Sequence, residues 1–264
     1  MTPPTVEAGG VELAYEEGGE GPAVVLVHGT ATARTVWRET VDALGDGMRA
    51  IAYDRRAYGD SGAPEPYGGT TVGEQADDLA ELIERIAAAP AVVCGHELGA
   101  LAALDLAARH RSLVERTVLV EPPMLWLVGA GTDAVAELRE AVARAARDEG
   151  AAGAVRAYLE VVGGPDVKEL LGRDRAEASM ANPRAFAADL AAAVSWAVGQ
   201  RELRAIEAPA TLISGTRSAP VRQEAARALA ELLPAAKLMT VESGHFAHLE
   251  QPEAVAAAIG ERGV

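Results

Sequence analysis

A chain of 264 residues, 49% of them hydrophobic, is long enough to bury one large core. Its formal charge of -15 at pH 7 excludes the basic surface that nucleic acid or an anionic membrane would require. The single cysteine, Cys94, rules out a disulfide framework. There is no basic-then-apolar leader and no apolar run long enough to span a bilayer, so a cytoplasmic protein acting on a small molecule is expected.

Val11–Tyr15 alternates apolar and polar residues, as an edge strand or hairpin arm should. The turn Gly18–Pro22 leads into Ala23–Val27, five apolar residues that read as a buried strand. His28-Gly29-Thr30 ends that strand, and a short helix is predicted over Trp37–Leu44. Ala50–Asp54 is the next strand and runs into a turn-rich loop, Arg55–Gly62. Thr70–Ala88 is a helix, with Leu79, Leu82, Ile83 and Ile86 spaced to share one face. Ala91–Cys94 and Leu98–Ala108 form the next strand and helix, and strands follow at Thr117–Val120, Ala210–Ser214 and Leu238–Val241. Strands alternating with helices predict an α/β fold with a mostly parallel, doubly wound sheet.

Residues 124–203 interrupt this alternation. They carry no strand signal and read as helices over Asp133–Glu149, Ala151–Val162 and Ala185–Ala197. The pattern predicts a helical cap, residues 124–203, inserted between core segments 1–123 and 204–264. Such a cap would sit over the carboxyl end of the sheet, where open α/β sheets bind ligands. Packing the cap consumes most of its large rings, and one of Trp126, Tyr158 and Trp196 is expected to line an apolar pocket of modest size.

The organising stretch is Gly95-His96-Glu97-Leu98-Gly99, between a strand and a helix. Two glycines bracketing one residue predict a tight, strained turn that lifts the central side chain above the sheet. Ser usually stands at such an elbow, sometimes Cys or Asp; here it is Glu97. The histidines lack ligand spacing and the glycines lack nucleotide-loop spacing, so neither a metal nor another cofactor is expected. His28 is read as holding its turn and His96 as packing beside the elbow. Asp54-Arg55-Arg56 is read as a buried ion-pair network, with Arg56 able to reach an anionic group on a substrate.

Taken together, His28-Gly29, Asp54-Arg55-Arg56 with Gly59 and Ser61-Gly62, Gly95-x-x-x-Gly99, Glu121-Pro122-Pro123 and Gly244-His245 resemble the α/β-hydrolase superfamily. The Asp-Arg-Arg loop, Glu-Pro-Pro and Ser218-Ala219-Pro220 resemble a bacterial esterase-like subgroup within it. The resemblance implies the α/β-hydrolase fold with an inserted cap. It puts Glu97 at the nucleophile position, His245 at the base, and the backbone N–H groups of Thr30 and Leu98 in an oxyanion hole. The usual acid loop, Gly215–Ser218, holds a neutral Ser218, so Glu121 is assigned to orient His245.

Three chemistries remain open at this point. A carboxylate needs no activation by histidine, and superfamily members with Asp at the elbow, epoxide hydrolases among them, attack carbon and then hydrolyse the ester. Glu97 is one methylene longer than Asp, and misplacement on that scale costs about a hundredfold in rate. Alternatively, Glu97, His245 and Glu121 shuttle protons in a lyase, isomerase or cyclase, the two acids favouring an imidazolium. The third reading is a non-catalytic ligand-binding relative that has lost its serine. Attack by a carboxylate on an ester would yield only an anhydride, which argues against ordinary esterase activity.

Overall fold

The computed structural model describes residues 2–261. Eight strands form one sheet: β1 (Thr5–Ala8), β2 (Val11–Gly18), β3 (Ala23–Val27), β4 (Arg49–Tyr53), β5 (Ala91–His96), β6 (Val114–Val120), β7 (Ala210–Gly215) and β8 (Ala236–Val241). Their spatial order is β1-β2-β4-β3-β5-β6-β7-β8. The β1–β2 and β2–β4 pairs are antiparallel, and every pair from β4 onward is parallel. β1, whose four residues lack a clear apolar alternation, is the strand that pattern reading passes over.

The sheet buries both faces. Val25 and Val27 of β3 join one apolar cluster, while Val24 and Leu26, pointing the other way, join a second. The helices that cover these faces are α1 (Arg38–Leu44), α2 (Val72–Arg85), α3 (Leu98–Arg109), α9 (Pro220–Leu232), α10 (Ala247–Glu250) and α11 (Pro252–Gly260). Helix α2 starts where Thr71 accepts the Glu74 N–H at 3.0 Å, the N-cap bond that fixes its first turn.

Between β6 and β7 only helices occur among the described residues: α4 (Gly131–Gly163), α5 (Val167–Leu171), α6 (Arg173–Met180), α7 (Pro183–Ser195) and α8 (Gln200–Leu203). α4 is broken at Gly150, whose φ of 74° leaves the helical region. That break lies between the two helices read from the sequence at Asp133–Glu149 and Ala151–Val162. α5 and α6 are short and were not foreseen.

A buried ion pair ties this helical segment to the sheet. Arg55, at the end of β4, pairs with Asp189 of α7 through contacts of 2.6 and 3.1 Å. Asp189 also accepts the Tyr58 hydroxyl at 2.8 Å, and Arg55 donates to the carbonyls of His28 and Gly29. The pair therefore braces the turn after β3. The other two members of the Asp-Arg-Arg run pair elsewhere: Asp54 with Arg34, and Arg56 with Asp78 and Glu74. Arg56 is thus committed to Asp78 and Glu74, which removes it from any role as a cation for substrate. No helix is long and apolar enough to cross a membrane among the described residues.

Candidate active site

Every residue singled out for chemistry lies just past the carboxyl end of a strand: Thr30 after β3, Glu97 after β5, Glu121 after β6 and His245 after β8. Glu97 has φ 50° and Glu121 has φ 51°, left-handed conformations that a side chain adopts only at a cost of about 1–3 kcal/mol. Two strained glutamates therefore stand at the ends of adjacent parallel strands. The glycines around them are demanded by contact. A Cβ on Gly99 would collide with the Val27 and His28 carbonyls, and one on Gly29 would reach the Glu97 Cβ at 3.0 Å. The turns after β3 and β5 are consequently held against each other.

That approach decides where the Glu97 side chain goes. Its Oε2 accepts the Thr30 N–H at 3.1 Å and the Leu98 N–H at 2.5 Å. The two backbone donors expected to form an oxyanion hole thus grip one oxygen of the elbow carboxylate itself. The extra methylene of glutamate is absorbed by this backward curl, so the side chain caps its own helix, α3.

His245 and Glu121 face one another, with Nδ1 and Oε2 3.5 Å apart and both residues buried. The other oxygen of Glu121 accepts the Gly215 N–H at 2.7 Å and the Ser218 hydroxyl at 2.8 Å. Ser218, in the loop where a carboxylate is usual, instead orients a carboxylate from the neighbouring strand. Burial pushes the Glu121 carboxyl above its ordinary value, opposed by these hydrogen bonds and by the Arg222 charge. Burial pushes His245 well below its ordinary value, Arg222 adds to the effect, and Glu97 opposes it. The imidazolium anticipated from two neighbouring acids is therefore replaced by a neutral base, because desolvation outweighs the attraction.

Behind the site, the rings of Trp37, His248, His96 and His245 lie in sequence, with successive centroids 4.4–4.7 Å apart. His96 packs against the elbow and its Nε2 lies 3.1 Å from the His245 carbonyl oxygen. His28 holds the turn after β3: its Nε2 accepts the Arg55 N–H at 3.0 Å, and its Nδ1 lies 2.8 Å from the Gly29 oxygen.

A cavity of about 600 Å³ opens above Glu97, walled by Val142, Tyr158, Phe186 and Leu190 and by Arg222. Of the three rings proposed for the pocket, only Tyr158 lines it. Its hydroxyl is buried without a hydrogen bond, and burial together with the Glu97 charge raises its pKa well above the ordinary value. Trp126 is 47% exposed on the surface, and Trp196 turns toward α3, donating to Asp105 at 3.0 Å. Ring size marks a residue worth burying but does not say on which side of a helix it packs. A second cavity, about 790 Å³, lies between α4, α5 and α6, away from Glu97.

Arg222 went unnoticed in the sequence. It sits in the first turn of α9, where the helix dipole disfavours a cation, and that misplacement is the signal that could have found it.

Residues 24–258 match the alpha/beta hydrolase family. The chain is 34% identical over 116 residues to 2-(acetamidomethylene)succinate hydrolase of Mesorhizobium japonicum, covering 44% of this chain and 41% of that protein. It is 32% identical over 123 residues to epoxide hydrolase A of Mycobacterium tuberculosis, covering 46% and 38% respectively. These matches span less than half the length of the curated relatives. Over almost the whole chain, the structure resembles a thermophilic esterase from Thermogutta terrifontis, with a TM-score of 0.78, 26% identity, and coverage of 98% of this chain and 96% of that one. With the sheet order, the strand-end site and a family match from residue 24 to 258 in agreement, the chain belongs to the alpha/beta hydrolase family.

Proposed function

We propose that the protein hydrolyses an epoxide through a covalent ester on Glu97. The observation that carries this reading is the grip of Thr30 and Leu98 on Glu97 Oε2. In a serine enzyme the same donors hold an oxygen of the substrate. Here that space is taken by the elbow side chain, so a substrate carbonyl has no hole to enter. The grip leaves Oε1 free to attack and makes Cδ of Glu97 the acyl centre that the hole serves.

The chemistry follows in two steps. Oε1 attacks an epoxide carbon, the ring C–O bond breaks, and the alkoxide takes the proton of the Tyr158 hydroxyl. His245, neutral because it is buried, then removes a proton from water. The hydroxide adds to Cδ, and the charge that develops on Oε2 is already met by two N–H donors. Collapse breaks the Cδ–Oε1 bond and releases the diol oxygen, which takes the proton from His245. The regenerated carboxyl returns its proton to Tyr158. The sum is one epoxide and one water to one vicinal diol.

The acid–base alternative asks the hole to hold an enolate, and Glu97 already fills it. A binding-only role gives no account of the Tyr158 hydroxyl, buried without a hydrogen bond at the cavity, or of His245 Nδ1 set 3.5 Å from Glu121 Oε2. The relatives named epoxide hydrolases add support. The test is to trap the ester. A His245→Gln variant incubated with styrene oxide should accumulate an adduct on the peptide containing Glu97, because its water is no longer activated. A wild-type protein that forms no diol from epoxides, and a variant that carries no adduct, would refute the proposal.

A further inference from the structure

Arg222 is the buried charge in the cavity that the hydrolytic steps leave unused. It is 9% exposed, it lines the cavity beside Glu97, and its Nη1 is buried with no hydrogen-bond partner. No carboxylate closes an ion pair with it among the described residues. Glu97 directs one oxygen to backbone N–H groups, and Glu121 is held by Gly215 and Ser218 and turns its other oxygen to His245 Nδ1. A buried guanidinium with a free donor is costly, and its place in the first turn of α9 adds an unfavourable helix dipole. An anionic group entering the cavity would remove both penalties.

We infer that Arg222 is a carboxylate-binding residue and that the substrate is an apolar epoxide bearing a carboxylate. This inference rests on the hydrolytic reading of Glu97 for its reactive group, and on the cavity alone for its anion. The guanidinium presents donors in a planar fork that suits a carboxylate, whereas the remaining wall is aliphatic and aromatic and suits a hydrocarbon tail. Without Arg222, the Glu97 carboxylate in the cavity wall would repel such a substrate. Arg139, exposed on α4 at the same cavity, adds a second positive charge along the way in.

The test uses binding, which does not depend on whether Glu97 forms an ester. Octanoate and octanamide have the same length and differ in charge. Isothermal titration of the wild-type protein should give octanoate an advantage of about tenfold or more, the scale of a hydrogen bond to a charged group. Arg222→Met should erase that preference and Arg222→Lys should keep part of it. Equal binding of the two ligands by the wild type overturns the inference even if a variant fails to fold. So does a preference that survives in a folded Arg222→Met protein. Either result leaves the Glu97 ester standing, and a missing ester leaves the octanoate preference standing.

Discussion

Glu97 Oε2 lies 3.1 Å from the Thr30 nitrogen, so the side chain at the elbow occupies the hole built beside it. Its second partner, the Leu98 N–H, opens α3. A side chain one methylene longer than Asp thus keeps its carboxyl carbon beside the strand-end donors, and His245 and Glu121 face one another at 3.5 Å.

Changing the elbow separates charge from shape. Glu97→Gln preserves volume and both backbone contacts through its carbonyl oxygen, so its melting temperature should stay close to wild type while diol formation disappears. Glu97→Ser vacates the hole and restores an ordinary hydroxyl beside a neutral His245. Weak turnover of small activated esters such as p-nitrophenyl acetate should appear in that variant and be absent from wild type. Intact epoxide turnover by Glu97→Gln would remove the carboxylate from the mechanism.

Tyr158→Phe deletes a hydroxyl that makes no hydrogen bond in the folded protein. The loss should leave stability unchanged or slightly raised, because an unsatisfied buried polar group is removed. Diol formation should fall by about a hundredfold or more, the contribution of a positioned general acid. Parallel thermal melts and steady-state rates check both halves, and unchanged rates would exclude Tyr158 as the proton donor.

The brace between Arg55 and Asp189 predicts a large stability loss. Asp189→Asn leaves a buried guanidinium without its counter-charge, at a cost of about 3–5 kcal/mol. The damage should reach the site through the Gly29 carbonyl and the Tyr58 hydroxyl, which contacts the Ala31 N–H. Urea unfolding is the measurement, and a midpoint equal to wild type would contradict the brace.

Stability should fall as the solution is acidified through about pH 6.5, the ordinary histidine value. Burial lowers His28, His96, His245 and His248 well below it, so each stays neutral when folded and takes a proton when unfolded. The unfolded state binds more protons there, and each histidine contributes a slope of up to about 1.4 kcal/mol per pH unit. Asp78, pushed up to about 6 by burial, acts in the opposite sense below that pH and flattens the fall. Melting temperatures recorded from pH 8 to pH 5 would contradict this if they rose on acidification through about 6.5.

The parts of the site set by chain-local rules were legible in the sequence. Gly95 is demanded by the Gly99 backbone four residues on, and the strand-end turns carry Thr30, Glu121 and His245 to the carboxyl end of the sheet. What depends on distant packing was not legible. The partner of Arg55 is 134 positions away, and nothing local to Asp189 announces it. Trp126 and Trp196 were weighed for the cavity on ring size alone, yet the first faces outward and the second packs on α3. Arg222 was not singled out in the sequence. Only the tertiary arrangement reveals that it ends in a cavity.

In the proposed reaction Glu97 becomes an ester whose carbonyl carbon is attacked by water. Incubating wild-type protein with styrene oxide in heavy-oxygen water, then digesting it and weighing the Glu97 peptide, reads that step directly. Each turnover sends one original Glu97 oxygen out with the diol and leaves a water oxygen behind. The expected result is diol formation, an unlabelled diol in a single turnover, and progressive labelling of Glu97 over many turnovers. Diol carrying the heavy oxygen from the first turnover, with Glu97 unlabelled throughout, would contradict it.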